Sequence, residues 1–260
     1  MCSNYLPARI DSLAQYFAID RVDFDWQAEC YPGYMAPIIK RGPGGLEAGS
    51  AEGGAGGLEC VSACFGMVPH WADMKLARQT YNARSETVAE KPSFRSAWRK
   101  GQFCIIPLEA FFEPNYEAGR AVRWKLAAAN NQPLGVAGIW EWRRASLDGQ
   151  GALFSFSMLT INADGHPLMQ RFHKPEDEKR MLVILRPEQY SAWLATTPDA
   201  AASFLLPYPA DELQAEPAPR MLGSGGRMGT QGKKPSSAAS AMAAAEPVQP
   251  ELPLQQDWFE

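Results

Sequence analysis

Apolar and polar positions fall into short blocks over the first two hundred residues, and the blocks favour strands over long helices. Residues 3–40 mix apolar clusters with aromatics and predict a helix near 10–18, then an extended stretch from Tyr31 to Ile39. Pro37 stands in the middle of that stretch, where a proline implies an edge strand or a loop. CVSACFGMVPHW (60–71) reads as a short strand ending in Gly66 with a turn at Pro69, and the polar Asn82-Ala83-Arg84 as an ordered loop. Ser93 reads as the cap of a short helix that ends near Gly101. FCIIPLEAFFEP (103–114) begins as a buried β-branched strand and closes on Glu113-Pro114. The blocks 122–128, 133–144 and 152–162 alternate, with turn-rich gaps such as Asp148-Gly149 between them, and predict antiparallel pairing. RMLVIL (180–185) is a further buried strand, and Pro187 opens a helix that runs to Leu194. These elements add up to a compact, sheet-dominated α+β domain over residues 1–210.

Two stretches break the pattern. Residues 41–59 are glycine-rich and predict a flexible insertion or hairpin tip. From 211 onward Pro, Gly, Ala and Ser dominate, and disorder is expected to 260 because too little apolar surface is available to offset ordering entropy. Leu252, Leu254, Trp258 and Phe259 then cluster at the end of that tail, either without role or as a docking peptide.

Composition narrows the class. Apolar content of 46% and eight tryptophans suffice for a core. No run reaches the roughly 18 apolar residues of a membrane span, and no basic patch with an apolar h-region marks a signal peptide. Five cysteines without framework spacing point to a reducing cytosol, hence a cytoplasmic protein. Cys60, Cys64 and His70 lack a second ligand pair at zinc spacing, so structural cysteines are expected and no metal or cofactor. The net charge of −4 hides a gradient: residues 71–100 carry seven cations (Lys75, Arg78, Arg84, Lys91, Arg95, Arg99, Lys100) against Asp73, Glu86 and Glu90. Such a run is either a solvated face or a patch for phosphates.

The chemistry begins at Met1-Cys2. Methionine is trimmed before a small side chain, which would leave Cys2 with an α-amine beside its thiol. Their reference pKa values, about 7.7–8.0 and about 8.5, leave both partly nucleophilic near neutrality. Such a 1,2-aminothiol condenses with an aldehyde to an imine and closes to a thiazolidine. Read alone, Cys2 is the second residue of a frayed terminus. Asn82, Arg84, Glu113, Thr160 and His173 each have an equally ordinary reading as turn, surface or loop residues.

Together, however, Met1-Cys2, FGMVPHW (65–71), NARSETVAEKPSFR (82–95), CIIPLEAFFEP (104–114), GIWEW (138–142) and TINADG…FHKPEDEKRMLVIL (160–185) resemble the SRAP (SOS response-associated peptidase) family. The resemblance covers roughly residues 1–200 in the family's order. It implies a single domain on a mainly antiparallel, barrel-like sheet with short helices, and covalent crosslinking to abasic sites in single-stranded DNA as part of the DNA-damage response. Cys2 is then the residue that forms the thiazolidine with the ring-opened sugar. Asn82 holds sugar and cysteine terminus, Glu113 moves protons, and His173 acts as acid or base. Arg84 contacts phosphate, and Thr160 lines the site. Met67, Pro69 and Trp71 stack or wedge against flanking bases, with core packing as the alternative for Trp71, and Pro37 joins the DNA-binding set. No cofactor is implied, a monomer is expected, and autoproteolysis and β-elimination at the 3′ phosphate are side activities.

The chain also departs from the pattern. Members commonly begin Cys-Gly-Arg, here Cys2-Ser3-Asn4, and Pro114 stands where a tryptophan is usual. The family's His-x-Arg-Met spacing is stretched by KPEDEK between His173 and Arg180-Met181, which leaves His166 as the alternative histidine. Gln255–Phe259, within 249–260, resembles peptides that dock into the bacterial sliding clamp. Two other classes compete: a cysteine peptidase or amidase with Cys2 as acyl nucleophile, for which no oxyanion hole or peptide groove is visible, and a non-catalytic DNA or clamp adaptor.

Overall fold

The computed structural model of the protein describes residues 2–42, 57–145 and 151–219. The glycine-rich insertion and the C-terminal docking peptide expected above lie mostly or wholly outside these residues.

Five strands form a closed, mixed barrel. They are β2 (Met35–Arg41), β3 (Leu58–Phe65), β5 (Phe103–Asn115), β7 (Leu134–Arg143) and β8 (Leu153–Asn162). Their order is β5-β7-β8-β3-β2 and back to β5, antiparallel everywhere except between β3 and β8. Among the described residues six further strands are added: β1 (Tyr5–Pro7) on β5, β4 (Asn82–Arg84) and β9 (Arg180–Leu182) on β8, β10 (Ile184–Leu185) on β7, β6 (Val122–Ala128) on β5 and β11 (Leu213–Pro217) on β6. The helices are short: α1 (Ile10–Phe17), α2 (Arg95–Arg99), α3 (Tyr190–Ala195) and several 3₁₀ turns.

The closure explains where the proline rule is met. β2 pairs with β3 along its length but meets β5 only at Ile39–Ile105, so the side of Pro37 facing away from β3 carries no ladder bond to lose. Pro37 thus sits within a barrel strand that is locally an edge. β2 and β3 pair antiparallel in a register that runs out to Arg41 opposite Leu58.

Other expectations need correction. Asn82-Ala83-Arg84 is not a loop: it pairs in parallel with Met158–Thr160 of β8, past Phe156 where the β3 pairing ends. Helix α2 is capped by Phe94 without a side-chain hydrogen bond, so Ser93 is not its cap. RMLVIL divides at Val183, whose N–H bonds Leu159 O while its carbonyl accepts from Ala137 N, so one run serves two neighbours. β11 extends the ordered body beyond residue 210.

The core is apolar and aromatic. Phe65 meets Tyr5 edge-on at 5.2 Å, stacks on Phe156 at 5.3 Å and touches Tyr81 at 5.7 Å. Gly66 ends β3 with φ +115°, and a Cβ there would lie 2.1 Å from the Ala77 carbonyl oxygen. That close approach folds the 66–80 segment back onto the barrel and delivers the chain to β4.

Candidate functional site

The site forms where β5 leaves the barrel. Its first half, to Leu108, lies between barrel strands, whereas Phe111–Asn115 pairs with β6 and 108–111 carries β1. Backbone bonds from Phe112 N to Asn4 O (3.2 Å) and from Ala8 N to Pro107 O (3.0 Å) tie the N-terminal segment to this bend. Cys2 is consequently fully buried, not frayed. Its thiol donates to Asn4 O at 3.4 Å.

From the other side, β4 presents Asn82, whose Nδ2 donates to the Cys2 carbonyl at 2.9 Å. Asn82 Oδ1 is buried and has no hydrogen-bond partner among the described residues. Glu113, 2% exposed, meets His173 Nε2 through its Oε2 at 2.9 Å. The histidine is brought there by its backbone. It has φ +63°, in the left-handed region that histidine enters more readily than most residues, and its N–H bonds Pro114 O at 2.8 Å. An adjoining bridge pairs Phe172 with Asn115, whose Nδ2 also donates to Arg171 O at 3.0 Å.

Burial, and then the negative charge of Glu113, push the Cys2 thiol far above its ordinary pKa. The sulfur is therefore protonated at neutral pH in the DNA-free protein. Burial also pushes Glu113 upward, but in the chain that still carries Met1 the cationic N-terminus and His173 outweigh it and hold the carboxyl below its usual range. Tyr81 is raised by burial, then by Cys2 and Glu113, which places it in the field of the same site. The arrangement sets an anionic carboxylate, paired with an imidazole, beside a neutral thiol.

The remaining sequence-predicted residues are spread around this centre. His166 is engaged elsewhere: Nε2 lies 2.7 Å from Tyr208 O, and Nδ1 accepts from Met169 N at 3.0 Å. Geometry thus separates it from His173. Thr160 is buried and its Oγ1 accepts from Arg180 Nη2 at 3.1 Å. Arg84 is exposed at the end of β4 and donates to Glu178 at 2.6 Å. Trp71 is 57% exposed, so it is not core, whereas Met67 is fully buried and Pro69 is buried. Ser155 Oγ donates to the Met67 sulfur at 3.8 Å, so Met67 supports the segment that displays Trp71 and offers no face of its own. Pro37 is buried in β2.

Several neighbours were not foreseen from sequence. Asn4 is buried and donates to Glu29, which also receives Tyr31 OH and Arg123 Nη2. Arg180 is buried and forms a bidentate pair with Glu86 at 2.8 and 2.9 Å while donating to Thr160 O at 2.8 Å. Tyr81 was accessible as the residue before Asn82; Glu29, far from any motif, gave no signal.

The fold and site define a class. The model of the SOS response associated peptidase (SRAP) family matches residues 1–224, and the chain belongs to that family. It is 31% identical over 229 residues to the abasic site processing protein YobE of Bacillus subtilis (strain 168), covering 83% of this chain and 93% of that one. Against the abasic site processing protein YoqW of the same organism the identity is 30%, with 83% and 91% covered. Among solved structures, a protein from Bordetella bronchiseptica superposes with a TM-score of 0.72 at 36% identity, over 84% of this chain and 99% of that chain. A protein from Bacteroides thetaiotaomicron at 22% identity shares the fold, with a TM-score of 0.66 over 82% and 90%.

Proposed function

We propose that this protein captures abasic sites in single-stranded DNA through Cys2 as a thiazolidine, and so shields the damaged strand. The observation that carries this reading is the convergence of Asn82 on the Cys2 carbonyl with a buried Glu113–His173 pair whose charge acts on the Cys2 thiol. Its relatives' names, abasic site processing proteins, support the same substrate.

The steps balance as follows. After removal of Met1, the neutral α-amine of Cys2 attacks C1′ of the ring-opened sugar, giving a carbinolamine. Loss of water, with a proton supplied to the departing hydroxyl, gives the imine; His173 paired with Glu113 fits that acid role. The Cys2 sulfur then bonds C1′, its proton passing by way of Glu113 to the imine nitrogen. Aldehyde and aminothiol yield thiazolidine and water. A thiol that stays protonated until closure fits an order in which the amine reacts first. The imine also acidifies C2′, so β-elimination of the 3′ phosphate competes with closure, and ring closure suppresses it. Around the centre, Arg84 takes a phosphate and Trp71 stacks on a flanking base.

The test is incubation of the full chain, its Met1 removal verified by intact mass, with single-stranded DNA carrying one abasic site, followed by a denaturing gel. A heat-stable shifted band that is lost in Cys2→Ala is expected. Correctly trimmed protein that gives no band overturns the reading. Gln255–Phe259 is proposed as a sliding-clamp peptide, tested by clamp pull-down with and without Phe259→Ala, which should abolish retention.

A further inference from the structure

The stretch that lengthens the His173-to-Arg180 interval supplies a carboxylate to the residue proposed to take a strand phosphate. Glu178 Oε2 accepts from Arg84 Nη1 at 2.6 Å, while Oε1 accepts from Arg180 Nη1 at 2.8 Å and from Asn162 Nδ2 at 3.2 Å. The two arginines are held differently. The Arg180 side chain is 3% exposed and keeps a bidentate pair with Glu86 as well as the Thr160 carbonyl. The Arg84 side chain is 47% exposed, and Glu178 is its only side-chain partner among the described residues. The loop is itself braced, with Lys179 N bonding Asp164 Oδ1 at 2.8 Å and Lys179 Nζ bonding Lys174 O at 2.6 Å. Glu178 is thus fixed at its base while reaching a cation that is open to solvent. Hydrogen bonds from Arg180, first, and from Asn162 hold its carboxyl below the usual range, so it is anionic at neutral pH.

We propose that Glu178 is a built-in competitor for DNA phosphate: it occupies Arg84 in the free protein and must be displaced when a strand binds. This rests on the reading that Arg84 meets the strand. A carboxylate and a phosphate oxygen seek the same guanidinium donors, so binding exchanges one ion pair for another. Little counterion release is then gained at Arg84, and both affinity and its salt dependence are lower than the number of cations near the site implies. Arg180 retains Glu86 through the exchange and keeps β8, β9 and the 84–86 turn in register. The consequence is selectivity: undamaged strand is held weakly, and the covalent step at Cys2 decides which strands are retained.

The experiment measures equilibrium binding of the full chain to a fluorescent single-stranded oligonucleotide carrying one tetrahydrofuran site, which has no aldehyde and cannot crosslink, over a series of salt concentrations. Glu178→Gln keeps an acceptor for Arg180 and Asn162 but removes the charge. It should tighten binding about two- to fivefold at low salt, the range of an exposed ion pair, and steepen the slope of log K against log salt by about 0.7. In an Arg84→Gln background the same change should have no effect. Binding that is unchanged or weaker in Glu178→Gln with an unaltered melting temperature overturns the inference, as does an equal gain in the Arg84→Gln background. Should Glu178→Gln melt lower, Glu178→Asp, too short to hold Arg84 while anionic, must reproduce the tightening, and its failure overturns the inference as well. Wild-type protein that binds no oligonucleotide, with no gain in Glu178→Gln, overturns the DNA reading itself.

Discussion

At the scale of single residues, the site is a set of groups whose protonation is fixed by burial and by one another. In the chain that carries Met1, Glu113 has its carboxyl held low, because the cationic N-terminus and His173 outweigh its burial. A group with a depressed folded pKa stabilises the fold above its unfolded value, about 4.3 for glutamate, and that contribution is lost as pH falls through the depressed value. The melting temperature of wild type relative to Glu113→Gln should therefore be highest near neutrality and fall toward the variant's in acid; a difference constant down to pH 3 contradicts this. The same variant should crosslink about 10²-fold more slowly, the lower end of what a positioned acid or base contributes. Single-turnover gels at saturating DNA measure it. Asn82→Ala removes the bond to the Cys2 carbonyl, and its deficit should appear in the crosslinking rate more than in oligonucleotide affinity.

Among elements, the 66–84 segment matters most, because it connects β3 to β4, displays Trp71 and delivers Asn82. Gly66 is its pivot. Gly66→Ala would place a Cβ 2.1 Å from a backbone oxygen at a φ of +115°. Strain and overpacking of this kind each cost about 1–3 kcal/mol, so urea denaturation should show a loss of about 2–6 kcal/mol; a loss within error of zero would mean the segment is free to move. Arg180→Ala breaks the joint between β8, β9 and Glu86, and about 2–3 kcal/mol of stability should go with it in the same assay. β6, β7 and β8 were readable from the chain as apolar, β-branched and aromatic runs bounded by turns, although β7 and β8 are covered on both faces over most of their length, so alternation is not what marks them. β4 was not, since one alanine between two polar residues is too short to show a period, and their strand geometry comes from β8, over seventy residues away in sequence.

For the whole molecule, the α+β, barrel-like expectation corresponds to a mixed five-strand barrel, and the parallel β3–β8 contact is the feature that local patterns could not predict. Pairing across such distances is decided by closure, not by any local run. The site shows the same division. Cys2, Asn82, Glu113 and His173 were identified through motif resemblance, and the fold brings them together by bending β5 out of the barrel. Burial of Met67 and Pro69, the ion pair on Arg84 and the Glu29 cluster depend on tertiary neighbours that the sequence does not place. The barrel also limits what the glycine-rich insertion contributes. Gly42 N bonds Gly57 O at 3.0 Å, so the strands are already joined at that level. Replacing 43–56 with a two-residue turn should raise stability by about 1–2 kcal/mol, because loop-closure entropy grows as the logarithm of loop length.

The central claim is that both nucleophiles of one residue, the amine and the thiol of Cys2, end on the same sugar carbon. Peptide mass spectrometry tests it directly, after the crosslinked complex is denatured with a thiol-alkylating reagent and digested with nuclease and trypsin. The expected product is the peptide Cys2–Arg9 carrying the sugar remnant less one water, with no alkyl group on its sulfur. The remnant on a peptide whose Cys2 is alkylated, or on any other residue, would contradict it.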